Sequence, residues 1–192
     1  MAALILGLVL FLGAHSVRIF IPGVRTALLE KLGEMTWKGL FSVVSLVGLA
    51  LIVWGYGQAR MAPVWLWVSP IWTYHLAALL MLLAFVLLAA AYIPGNRIKA
   101  KMGHPMLLAT KVWALAHLLA NGTLADLLLF GSFLVWAIAD FAVSRRRDRA
   151  EGVTYPALGV SRDLAVLVVG LVGYGVFAFW LHGLLIGVNP LG

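Results

Sequence analysis

Gly103-His104-Pro105-Met106-Leu107-Leu108-Ala109-Thr110-Lys111-Val112-Trp113-Ala114-Leu115-Ala116-His117-Leu118-Leu119-Ala120-Asn121-Gly122-Thr123 holds an apolar run of helical length between two turn signals. Pro105 suits a first helical position, and Asn121-Gly122-Thr123 ends the run with a turn of only a few residues. A second apolar run, 124 to 143, follows at once, so the two predict an antiparallel helical hairpin. Helical spacing of three, four and seven puts Thr110, Trp113, Ala114, His117 and Asn121 on one stripe, the polar face of an apolar helix. An ionisable side chain is costly in hydrocarbon, and His117 in such a run is a functional hypothesis by default.

Outward from this hairpin the chain is equally apolar. Of 192 residues 64% are hydrophobic and 11% charged, with a mean hydropathy of +1.04, which excludes a soluble domain with an ordinary surface. Runs at 2–20, 39–59, 71–93, 105–121, 124–143 and 164–188 predict six helices, each near the length a bilayer requires. The expected fold is an all-α integral membrane bundle of six transmembrane helices with short loops, one domain over residues 1–192. The first run lacks the basic region and small-residue cleavage site of a signal peptide and reads as a span.

Twelve of the 14 basic residues fall in three loops: Arg18, Arg25, Lys31 and Lys38; Arg97, Lys99 and Lys101; Arg145, Arg146, Arg147, Arg149 and Arg162. The positive-inside rule places these loops in the cytoplasm and both termini on the outer, periplasmic side of a bacterial inner membrane, in agreement with six crossings. The net charge of +7 is accounted for in this way, because the basic residues lack the clustering and aromatic interleaving of a nucleic-acid surface. Trp65, Trp67 and Trp72, beside Pro63 and Pro70, form an expected aromatic belt. Twenty glycines, among them Gly170, Gly173 and Gly175, allow close helix approach or an oligomer. The Arg145 to Glu151 stretch is expected to be mobile.

With no cysteine, thiolate metal sites and disulfides are excluded, and any metal must be held by nitrogen or oxygen. The candidate ligands are five histidines. His75, His117 and His182 lie toward the outer side on three spans; imidazole suits zinc, copper and haem iron, and a bundle core offers the long apolar slot that a porphyrin needs. His15 lies toward the cytoplasmic side, about 10 Å from the depth of His117 in straight helices. His15 and Arg18 share a face of the first span, and with Lys111 and Asp140 they suit a charge network or the carboxylates of a bound ligand. Snorkelling to the headgroups is the competing reading for Arg18 and the expected one for Lys111. His104 is expected as a cap or interfacial residue.

Two sets of residues carry family resemblances. Gly13-Ala14-His15-Ser16, His104-Pro105-Met106, Trp113-Ala114-Leu115-Ala116-His117 and Asn121-Gly122 resemble the NnrU family, which is associated with bacterial denitrification and nitrogen-oxide metabolism. Its plant relative is the haem-dependent 15-cis-zeta-carotene isomerase. The resemblance implies haem b held by His15 and His117; depth in straight helices instead offers His75 or His182 as the partner of His117, and Arg18, Thr110, Trp113 and Asn121, which share faces with His15 or His117, are the expected cofactor neighbours. It also implies a redox role, or cis-trans isomerisation of an apolar polyene-like substrate. Ala114 stands where the isomerase motif has a cysteine, so thiolate exchange at the iron has no residue to carry it. His104-Pro105 is also similar to the Arg-His-Pro segment of isoprenylcysteine carboxyl methyltransferases, with Gly103 in place of the arginine. A third reading is a membrane assembly subunit without enzymatic activity, its histidines serving as interhelical hydrogen-bond donors. The apolar walls suit a quinone as well as a polyene.

Overall fold

The computed structural model describes residues 1–191, and the described chain is helical apart from one isolated bridge between Trp65 and Thr123. Nine helices follow in order: α1 Ala2–Phe20, α2 Pro22–Leu32, α3 Glu34–Met61, α4 Ile71–Tyr92, α5 Arg97–Met102, α6 Pro105–Ala120, α7 Leu124–Glu151, α8 Val160–Val176 and, after a π turn at Phe177–Leu181, α9 His182–Ile186. Large apolar side chains point outward in the long helices: Val9, Val53, Leu79, Val135 and Val160 are all more than three-fifths exposed. A surface of this kind is solvated by lipid, and the chain is a multi-pass membrane protein. Five helices are long and apolar enough to cross a bilayer. The expected fourth span is the exception: α6 has 16 residues, about 24 Å of helix against a hydrocarbon core of about 30 Å.

Two compact units divide the contacts, Met1–Trp67 with Thr123–Trp136, and Val68–Gly122 with the chain from Ala137 onward. In the first, α1 and α3 run antiparallel, and the glycines set their distance. A Cβ on Gly55 would collide with the backbone of Leu4, one on Gly7 would lie 2.6 Å from Ile52 N, and one on Gly48 would lie 2.8 Å from Phe11 N. Without a hydrophobic force between spans, such backbone proximity supplies the dispersion contact that holds them. Instead of the simple loop expected at 21–38, α2 turns off at Ile21-Pro22 and ends at Gly33, whose φ of 77° lets the chain reverse into α3. At the other end of this unit Leu124 N donates to Val64 O at 2.8 Å. Thr123 and Asp126 cap α7 reciprocally: Thr123 N donates to Asp126 Oδ2 at 2.9 Å, and Asp126 N to Thr123 Oγ1 at 3.2 Å. Tyr56 donates to the same buried carboxylate at 2.5 Å.

In the second unit α4 packs on both α6 and α8, with Ala89, Ala90 and Val166 at the centre of a small-residue core. Gly170 backs onto Val86 and Gly173 onto Phe85, so these glycines serve packing within the chain. The predicted hairpin is antiparallel: His104 at the start of α6 meets Asp148 near the end of α7, and Lys111, one heptad on, meets Phe141. Two basic loops also dock on one another. Leu158 N donates to Gly95 O at 2.8 Å, and Arg97 N to Asp163 Oδ1 at 2.7 Å. Both loops therefore lie at the same end of this unit, as the charge pattern requires. The Arg145 to Glu151 stretch forms the last two turns of α7.

Candidate functional site

An imidazole in a helix satisfies Nδ1 most simply on the carbonyl one turn back. His15 does so with Phe11 O at 2.7 Å and His117 with Trp113 O at 2.9 Å. His182 reaches the same result by another route, placing Nδ1 2.6 Å from Val188 O, beyond the left-handed Gly187 that ends α9. With Nδ1–H donating, a neutral imidazole carries its lone pair on Nε2. A carbonyl at Nδ1 fixes the tautomer and ring plane of metal-ligating histidines in this way.

The surroundings of the three differ. In the first unit His15 is half-buried in a cage of rings. Phe11 stacks at 4.3 Å between centroids, and Phe41 and Trp136 present edges at 5.0 and 6.2 Å. Within this unit Trp136 Nε1 and Ser45 Oγ are buried with no hydrogen-bond partner. Arg18, one turn further, is exposed in the last turn of α1, where a cation complements the helix dipole.

In the second unit His117 and His182 line one cavity of about 160 Å³. Its walls are mainly small or aromatic: Ala77, Ala78 and Met81 from α4, Ala116 and Ala120 from α6, and Tyr174, Phe177 and Ala178 from α8 and the π turn. Asn121 closes it beside His117 and donates from Nδ2 to His117 O at 2.9 Å. His182 follows Ala178 by four residues, immediately after the π turn, and continues the wall that Tyr174 and Ala178 begin. The segment 188–191 folds back to cover one side, with Asn189 Oδ1 so close to Gly183 that a Cβ there would lie 2.5 Å away.

The remaining predicted residues are placed as follows. Trp113 supplies the carbonyl and an adjacent ring, 5.3 Å from the His117 ring, without lining the cavity. Thr110 donates to Met106 O of its own helix at 3.0 Å and likewise stands off the cavity. His75 is exposed on α4, beside the cavity residue Tyr74 but not lining the cavity itself. The snorkelling expected of Lys111 is corrected: its ammonium lies 3.8 Å from the centroid of the Phe141 ring, a cation–π contact that keeps it on the bundle. Asp140 accepts from Ser144 at 3.0 Å instead of pairing with Lys111. His104 is the N-cap residue of α6, with Nε2 2.9 Å from Asp148 Oδ2 but not aligned for a hydrogen bond. Tyr155 donates to the same carboxylate oxygen at 3.2 Å, and burial beside Asp148 pushes the Tyr155 hydroxyl above its usual range.

Asp126 is the polar residue that sequence reading passed over, although Thr123-x-x-Asp126 before an apolar run is a capping-box signal. Among the described residues no group of three or more histidines and carboxylates converges to hold a bare metal ion. A metal here would need a carrier that supplies most of its ligands.

No curated protein and no solved structure matches the chain. A family model does, that of the NnrU protein, over residues 3–190, and on that near-complete match the chain belongs to the NnrU family.

Proposed function

We propose that this NnrU-family membrane protein binds haem b, with His117 as one axial ligand. The observation that carries the reading is the His117 ring, held through Nδ1 against the Trp113 carbonyl at the wall of an apolar, aromatic-lined cavity. The donor chemistry fits the group: His117 with His15 or His182 would hold the iron through imidazole, and the porphyrin would supply the remaining nitrogens that no cluster of described side chains provides. When bound, haem supplies one-electron redox chemistry at iron. The chain's own residues orient the imidazoles, keep water from the apolar walls and hold Asn121 beside His117.

The family resemblance names His15 as the second ligand. Lining of the same cavity favours His182, with Nδ1 held by Val188 O. In this reading the protein crosses a bacterial inner membrane six times with both termini outside, α6 being a short span accommodated by local thinning of the bilayer. The apolar walls then serve nitrogen-oxide-linked redox chemistry or isomerisation of a polyene, with a polyene or quinone as the small-molecule partner.

The test is an absorption spectrum with a pyridine haemochrome count on protein purified from haem-supplemented cells. A Soret band is expected, lost in His117→Ala and changed in the variant of the second ligand, either His15→Ala or His182→Ala. A colourless wild-type protein overturns haem binding. A band indifferent to His117→Ala overturns the ligand assignment alone.

A further inference from the structure

We propose that the docked basic loops of the second unit form a binding surface for the headgroups of anionic lipids. The loops are ordered on one another before any lipid arrives. Leu158 seats on Gly95, whose φ of 77° and lack of a Cβ make room for it, and Arg97 is clamped by Asp163. Asn96, fully buried, ties the base of this platform with Nδ2 on Ala90 O and Ile93 O at 2.8 and 2.5 Å, while its Oδ1 accepts from Lys99 N at 2.7 Å.

Charge on the platform is one-sided. Segments 93–104 and 145–163 hold eight lysines and arginines against three carboxylates. Two of the three are committed inside the platform, Asp148 to His104 and Tyr155, and Asp163 to Arg97. Lys101, Arg146, Arg149 and Arg162 remain exposed. Arg146 and Arg149 sit at the end of the long apolar α7 and Arg162 at the start of the one that opens with α8, with Lys101 on the short α5 docked beside them, the level at which phosphate groups lie. Exposed apolar side chains share that level: Leu158 and Val160 are 64% and 63% exposed. Apolar side chains that enter the interface beside cations that reach phosphate are the two components of anionic-lipid recognition. A free anion would be served by the cations and gain nothing from Leu158 and Val160.

The experiment uses the full chain in nanodiscs of phosphatidylcholine containing spin-labelled phosphatidylglycerol or spin-labelled phosphatidylcholine. The readout is the ratio of their association constants, from the motionally restricted fraction. Wild type is expected to prefer phosphatidylglycerol, and the combined variant Lys101→Gln, Arg146→Gln, Arg149→Gln, Arg162→Gln to lower the ratio about fivefold or more. All four side chains are exposed, so the fold should survive, as circular dichroism will verify. In unchanged protein, salt at about 1 M should collapse the preference, since screening then acts within about 3 Å. Three results overturn the proposal: a variant ratio equal to wild type; an equal loss from Lys31→Gln with Lys38→Gln in the first unit; or displacement of the lipid by inorganic phosphate beyond that by chloride at equal ionic strength, which would mark a free-anion site.

Discussion

His15 and His117 begin from the same local geometry and end in different places. Each ring is tied by Nδ1 to the carbonyl four residues earlier, a bond that any helical histidine can form from its own turn. Around His15 stand the rings of Phe11, Phe41 and Trp136; around His117 the Trp113 ring lies on one side and a cavity walled by alanines and aromatic side chains on the other. Helix geometry prepares an imidazole, then, and the side-chain volumes on neighbouring helices decide whether anything can approach it.

The sharpest way to break this comparison is to delete each ring. On the haem reading, His117→Ala removes the Soret band, whereas His15→Ala leaves it unchanged if His182 is the partner and shifts its maximum if His15 is; equal loss in both variants would mean that the two surroundings do not differ in function. Next in size is Gly48→Val. Its side chain would strike Phe11, the ring stacked on His15, and overpacking of this kind costs about 1–3 kcal/mol. Thermal unfolding in detergent should show that loss, while dye binding at the cavity of the second unit stays as in wild type. Asn96→Ala acts on the other side of the comparison. It leaves buried carbonyls at Ala90 and Ile93 unpaired, a cost of about 1–3 kcal/mol, and proteolysis within 152–159 should accelerate as the loop platform loosens.

The smallest expected effect concerns pH. Tyr155 has its ionisation raised in the folded protein by burial and by Asp148, so its contribution is complete below the ordinary tyrosine value of 10.0 and declines as pH rises past it, where the unfolded chain ionises first. Protection of the 152–159 loop from proteolysis should therefore weaken above about pH 10, the unperturbed tyrosine range, in wild type, and that component should disappear in Tyr155→Phe.

Much of this architecture is legible in the residues. The antiparallel hairpin follows from Pro105 and from Asn121-Gly122-Thr123, because short turns leave two helices no other neighbour. The shared side of two basic loops follows from charge and is met by the Leu158 bond to Gly95 and the Arg97 clamp on Asp163. Other features were not legible. Nothing in Phe177-Ala178-Phe179-Trp180-Leu181 announces a π turn, although Tyr174, Ala178 and His182 already follow one another at a helical spacing of four. The same limit applies to Lys111, whose choice between headgroup and Phe141 depends on a ring thirty residues away in sequence.

By itself the sequence determined the solvent, the helices and their approximate ends, the antiparallel hairpin, the polar stripe through His117 and the family. Each of these depends on composition or on spacing along one chain segment, where periodicity and turn chemistry act directly. Only the tertiary structure decided which glycines meet which backbone, that His15 is enclosed by rings, and that His117 shares a cavity with His182. Those are questions of volume between helices, and the residues that answer them lie far apart in the chain.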